Sequence, residues 1–296
     1  SLDVSGTSSN PGNIQSLVGI DSFVNLQSLS CNYNQLSSLD VSANTALTYL
    51  HCGFNQLSTL DISANTALAS LYCTNNQLST LDVSANTVLI NLHCNINQLS
   101  TLDVSANTAL NELYCSSNQL STLDISANTA LTYLWCYNNQ LTTLDVSANT
   151  ALAYLRCNNN QLTELNVKNG NNTNVTTSDF YAQGNPNLSC IQVDSVPYSV
   201  ANWTNIDNTV SFSEDCSFTA IPDTAFEAKL VQLGIDTDGL INGQLLTADA
   251  LGVTSLDVSG TSSNPGNIQS LVGIDSFVNL QSLSCNYNQL SSLDVS

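Results

Sequence analysis

Residues 47–67 read "LTYLHCGFNQLSTLDISANTA", and residues 131–151 read "LTYLWCYNNQLTTLDVSANTA". The two stretches differ at few positions, and they belong to one series. Cysteines fall at 31, 52, 73, 94, 115, 136 and 157, each 21 residues after the last. A fixed period of this length marks an architecture of stacked coils, in which each unit buries its apolar side only against its neighbours. Inside one unit, Leu47, Leu50 and Cys52 are followed by Asn55, and Leu57, Leu60 and Ile62 by Asn65. Leu50-x-Cys52 and Leu60-x-Ile62 alternate apolar with polar, as a strand with one buried face does. The expected fold is therefore a mainly β solenoid of 21-residue coils, with two short parallel strands per coil. Strands of neighbouring coils should lie about 4.8 Å apart. The asparagine after each strand can bond the turns of adjacent coils, because its amide both donates and accepts.

At this point the sequence resembles a known family. The units L-x-x-L-x-C-x-x-N-Q-L and L-x-x-L-D-V-S-x-N-T look like the leucine-rich repeats of secreted and surface proteins of Bacteroidetes-type bacteria, and "IQSLVGIDSFVNLQSL" at 14–29 is similar to internalin-type repeats. The resemblance covers roughly 14–166 and again 268–296. It implies a leucine-rich repeat solenoid, an extracellular or cell-surface location and type IX export, and it is far more specific for fold than for function.

The chain is written partly twice: residues 1–42 and 255–296 are identical, an offset of 254. Residues 1–166 read as repeat coils. From "LNVKNGNNTNVTTSDF" onward the signature fades, and 167–217 reads as a C-terminal cap whose off-register Cys190 and Cys216 are expected to pair in an oxidising compartment. In "AIPDTAFEAKLVQLGID", Asp223 is placed to cap a helix with Phe226, Leu230 and Leu233 on one face and Gly234 at its end. Residues 218–254 thus read as the helical N-terminal cap of a next tandem unit, and 255–296 as that unit's first coils. A tandem array of near-identical domains is the simplest source, and a permuted single domain with a duplicated end is the alternative. A chain starting "SLDVS", with no methionine, reads as a processed piece or a window on something longer.

Charge narrows the partners. Arg156, Lys168 and Lys229 face 23 acidic residues, a net charge of -20. Such a surface repels nucleic acid and anionic membranes. No run of 18 apolar residues is present, so insertion in a membrane is not expected.

Two outward surfaces differ in how they vary. Beside the second strand, Asp40, Asp61, Asp82, Asp103, Asp124 and Asp145 recur with little change around them. Either their pKa values rise, or cations sit between them, or local backbone bonds hold them. Beside the first strand the residues vary and are rich in rings: Tyr49, His51, Tyr72, His93, Tyr114, Tyr133, Trp135, Tyr137, Tyr154 and Arg156. An aromatic stripe on a fixed scaffold is the candidate ligand-binding face, for a protein or glycan on another surface. The competing reading is that the rings only stack across strands in support of the sheet. The inward cysteines read as small hydrophobes.

No arrangement fits nucleophilic catalysis, and a non-enzyme is expected. Calcium is the one cofactor the sequence offers, at Asp236 and Asp238 of "DTDGLINGQLLTAD". That loop departs from a full calcium loop at Leu240 and Thr247. The functional expectation is a repeating structural or adhesive module of a large bacterial surface protein or fibre, flanked by copies of itself and able to bundle. The alternative is a single-domain receptor whose duplicated ends were introduced by design.

Overall fold

The computed structural model describes residues 1–294 and divides into two compact units. The first comprises 1–188 with 193–208, and the second 189–192 with 209–296.

The first unit is a parallel β-solenoid. Its main sheet has nine strands, one per coil: β1 (Leu2–Asp3), β2 (Ser28–Ser30), β3 (Tyr49–His51), β4 (Ser70–Tyr72), β5 (Asn91–His93), β6 (Glu112–Tyr114), β7 (Tyr133–Trp135), β9 (Tyr154–Arg156) and β11 (Phe180–Tyr181). The register is the repeat itself, with Leu50 opposite Leu71, Leu71 opposite Leu92, and Tyr114 opposite Trp135. In each three-residue strand the central leucine is buried and its neighbours are half-exposed, so alternation fixes which side chains reach solvent. Behind the sheet, Leu47, Leu50, Cys52 and Leu57 are fully buried, and Ile62 nearly so. Each such leucine stabilises the stack by about 1.5–3 kcal/mol. The cysteines of this column are free thiols, and burial pushes Cys94 and Cys157 up to about 12, so they stay protonated and inert.

The second side of the coil departs from the two-strand expectation. Within the first unit, the regular strand pair on that side is β8 (Thr143–Asp145) with β10 (Glu164–Asn166). In the earlier coils, links on this side run through single amides, such as Gln77 N to Leu57 O, and through asparagine side chains. The aspartate at each of these places accepts from the amide two residues on, as Asp61 Oδ1 does from Ser63 N at 2.9 Å.

Two asparagine ladders tie coil to coil. Asn76 Nδ2 donates to Cys52 O and Cys73 O, both at 3.1 Å, while its Oδ1 accepts from Leu57 N at 3.0 Å. Asn86 Nδ2 donates to Ile62 O and Asn65 O, but its buried Oδ1 has no hydrogen-bond partner. The same holds at Asn44, Asn65, Asn107, Asn128 and Asn149.

In the second unit, β12 (Cys190–Gln192) pairs in parallel with β13 (Ser211–Ser213), and the expected Cys190–Cys216 disulfide is present with Cα atoms 5.8 Å apart. Then β14 (Phe218–Ala220) pairs antiparallel with β15 (Gln244–Leu246), flanked by α2 (Thr224–Gln232) and α3 (Thr247–Leu251). A seven-residue helix, α1 (Val196–Asn202), belongs to the first unit. Asp223 caps α2 as expected, with Oδ1 accepting from Ala225 N and Phe226 N at 3.0 Å. Phe226 and Leu230 are fully buried, but Leu233 is 44% exposed, a correction to the expected three-residue face. Leu233 is the C-cap of α2, and Gly234, with φ of 69°, turns the chain away immediately after it. The unit ends with β16 (Ser255–Asp257) parallel to β17 (Ser282–Ser284). No helix among the described residues is long and apolar enough to cross a membrane.

Candidate binding face

The half-exposed residues of the nine-stranded sheet build the candidate site. Because strands are about 4.8 Å apart, rings on successive strands come into van der Waals contact. His51 and Tyr72 have centroids 5.4 Å apart, Tyr72 and His93 4.6 Å, His93 and Tyr114 4.0 Å, and Tyr114 and Trp135 4.2 Å. Arg156 continues the column, its guanidinium carbon 4.8 Å from the Trp135 ring centre and 4.7 Å from that of Tyr181. A second, shorter column pairs Tyr133 with Tyr154 at 4.1 Å, and Tyr49 leans on Tyr72 at 5.4 Å. Tyr137 lies 6.4 Å from Trp135, tilted, at the edge of the column. All ten expected face residues are thus brought together in one patch of rings.

The orientation of the rings decides what the face can do. Tyr114 and Trp135 are 7° from parallel, and His93 and Tyr114 21°. Faces that stack along the solenoid are occupied by one another, and the edges are what solvent meets. Each stacked pair contributes about 0.5–1.5 kcal/mol beyond burial, so the rings do support the sheet. The support and the exposed edge are properties of the same atoms.

Electrostatics keeps those edges in defined states. Burial, then the Glu112 charge, pushes the Tyr114 hydroxyl up to about 12, so it remains a donor. Burial also lowers His51 and His93 below the ordinary histidine value, with the Glu112 carboxylate, 3.0 Å from His93 Nε2, pulling partly back. Both imidazoles are therefore neutral at neutral pH, and Arg156 is the cation of the column. Glu112 was readable as an outward residue, but its bond to His93 was not. Tyr181 was missed because it stands off the 21-residue register, in the segment read as a cap.

The aspartate row is different in kind. The hydroxyl and amide of Ser63 hold Asp61 below the usual carboxylate range, and the corresponding serines do the same for Asp40, Asp82, Asp103 and Asp124. Of the alternatives the row offers, local bonds are present, and for these five aspartates they outweigh repulsion between neighbours.

In the loop after α2, Asp236 is 4% exposed and its Oδ2 has no partner, while Asp238 accepts from Leu240 N at 2.7 Å and Asn242 Nδ2 at 3.1 Å. Burial, then the Asp238 charge, pushes Asp236 up to about 7. The two acids expected to hold calcium stand in one loop, and the surroundings of Asp236 favour its protonated form. Among the described residues no group of three or more His, Cys, Asp or Glu is placed to hold a metal ion.

Comparison with known proteins fits this geometry. A family model for leucine-rich repeats, in two copies, matches residues 24–65. The functional domain of InlJ from Listeria monocytogenes, whose description includes a cysteine ladder, is similar in structure over 96% of this chain and 63% of that one, with 26% identity and a TM-score of 0.50. The chain therefore spans less than two thirds of that domain. The leucine-rich repeat domain of APL1B is similar over 99% of this chain and 71% of that one, at 18% identity and a TM-score of 0.52, a likeness of fold alone. No curated protein matches the sequence. The buried cysteine column parallels the cysteine ladder of the InlJ domain, and with its 21-residue coils and inward leucines the chain is a leucine-rich repeat solenoid.

Proposed function

We propose that this chain is a protein-binding module of an extracellular bacterial surface protein, engaging its partner through the ring edges of the nine-stranded sheet. The carrying observation is the unbroken column from His51 through Trp135 and Arg156 to Tyr181. Tyrosine hydroxyls, imidazole and indole N–H groups and one guanidinium are hydrogen-bonding edges mounted on a rigid apolar body, the chemistry that dominates protein interfaces. A sugar ring docks best on a free aromatic face, and from His93 through Tyr114 to Trp135 the facing ring faces are taken, while Tyr72 meets His93 edge-on at 78°. The surrounding excess of acid selects a partner with a basic rim, and it speeds encounter with one.

The finer reading is an adhesive repeat within a tandem array or fibre, exported by a Bacteroidetes-type organism through a type IX route. The identical ends, the scarcity of basic residues and the Cys190–Cys216 disulfide support it. The competing reading, a solitary receptor, differs in valency: an array binds far more tightly than one domain when its target is multivalent. Neither reading invokes a cofactor or a reaction.

The test is an array of surface proteins and glycans probed with the chain and with its R156E and W135S variants, folding of each verified by circular dichroism. Protein spots that lose signal at least tenfold in both variants support the proposal. Binding to glycans alone, or protein binding that both variants retain, contradicts it.

A further inference from the structure

Residues 1–42 and 255–296 have the same sequence, so the described parts of the two copies form an internal control for what surrounds them. Their backbones agree. Leu2 pairs with Leu29 as Leu256 pairs with Leu283, and the turn glycines Gly19 and Gly273 have φ of 99° and 96°. Their burial does not agree. Phe23 is 54% exposed, whereas Phe277 is 3% exposed; Val18 is 98% exposed and Val272 56%. Leu2, Ile14 and Leu17 are half-exposed, while their counterparts Leu256, Ile268 and Leu271 are buried.

The cause of the difference is residues 218–254. In the second unit Ile221, Phe226, Leu230, Leu245 and Ala250 form one cluster with Leu256, Ile268, Leu271 and Phe277. A side chain on Gly273 would collide with Ile221 Cδ1, whereas one on Gly19 would meet nothing within 4 Å. Polar contacts fix the register of this cover. Asp223, while capping α2 with one oxygen, accepts with the other from Gln269 N at 2.7 Å and Ser270 N at 2.8 Å. Thr219 Oγ1 donates to Ser276 Oγ at 2.7 Å, and Asn279 Nδ2 donates to Leu251 O at 2.7 Å. The first copy carries the same groups at Gln15, Ser16, Ser22 and Asn25.

We propose that the open apolar face formed by Leu2, Ile14, Leu17 and Phe23 is a docking surface for a further copy of residues 218–254. The surface is already in the conformation that its twin adopts when covered, so docking requires no rearrangement of it. The occupant is specified by sequence identity: whatever fits 256–277 fits 2–23. This inference stands apart from the aromatic face, which lies on other residues and is read by other measurements.

The experiment extends the chain by a second copy of residues 218–254 placed directly before Ser1 and compares it with the chain as given. Hydrogen exchange at the amides of Gln15 and Ser16 should slow by at least a hundredfold. Binding of a hydrophobic dye should fall, and the substitution Phe23→Asp in the extended chain should reverse both effects. A free peptide of residues 218–254 separates the sources: saturable protection of Gln15 and Ser16 by the peptide shows that another chain can deliver the cover, and protection only in the extended chain shows delivery within one polypeptide. Either result supports the docking. Unchanged exchange and dye binding in both arms overturns it, as does a homodimer of the unextended chain that Phe23→Asp abolishes while the added segment leaves Gln15 and Ser16 unprotected.

Discussion

Ile96 has a φ of 56°, in a left-handed region that a β-branched residue enters only under strain. The same place in the other coils carries Tyr33, Phe54, Asn75, Ser117, Asn138 and Asn159, all with φ between 53° and 56°. The coil geometry thus dictates the dihedral, and the residue type decides its cost. Ile96 is also 46% exposed, so little packing is lost on replacing it. Ile96→Asn is expected to stabilise the first unit by about 1 kcal/mol, read as a higher urea midpoint with an unchanged slope.

Asp236 offers a second prediction at this scale, with its sign fixed by linkage. Its pKa is raised from 3.8 to about 7, so the folded protein keeps a proton that the unfolded chain releases. The associated stability is fully present below the unfolded pKa and is lost as pH rises through about 7. Asp236→Asn places a permanently neutral group at this buried position. It should stabilise the second unit by about 1–2 kcal/mol at pH 8 and leave it nearly unchanged at pH 4, measured by denaturant melts at the two pH values.

At the scale of the coil, the two asparagine ladders are unequal. Removing Asn76 leaves the Leu57 amide without a partner, although Cys52 O and Cys73 O keep Asn55 Nδ2 and Asn97 Nδ2, whereas removing Asn86 strands no group, because Ile62 O and Asn65 O keep the amides of Asn65 and Leu68. Asn76→Ala is expected to cost about 2–4 kcal/mol and Asn86→Ala about 1 kcal/mol less. Denaturant melts of the two variants check the order, and equal losses would contradict it. The coil itself was legible in the sequence, because period, alternation and inward cysteines repeat so often that Leu50, Cys52 and Leu57 could be placed without coordinates. The candidate face was legible for the same reason, since alternation sends Tyr72, Tyr114 and Trp135 outward. Their mutual stacking was not, because sequence gives the side of a strand but not the torsion of a ring. Nor was the low pKa of Asp61, which depends on a hydroxyl that turns back two residues. Which coils form a second strand was not legible either, because the Asp–Ser turn is shared by Asp145 of the paired β8 and by Asp61 of an unpaired coil.

For the whole molecule, the repeat does two separate jobs. Inside a coil stack it supplies identical scaffolding, so that variation at Tyr72, His93, Tyr114, Trp135 and Arg156 changes what the face presents without changing how it is held. Across 254 residues it supplies the same apolar end twice, once open at Phe23 and once covered at Phe277. The acidic row and the aromatic column are separate candidate contact surfaces, and the account assigns partner binding to the column alone. Hydroxyl-radical footprinting of the chain with a protein partner selected on the array tests that assignment most directly. The account predicts strong protection of Tyr72, Tyr114 and Trp135 with no change at Thr80 and Thr101, exposed beside Asp82 and Asp103. Protection centred on Thr80 and Thr101, with the three aromatic residues as reactive as in the free chain, would contradict it.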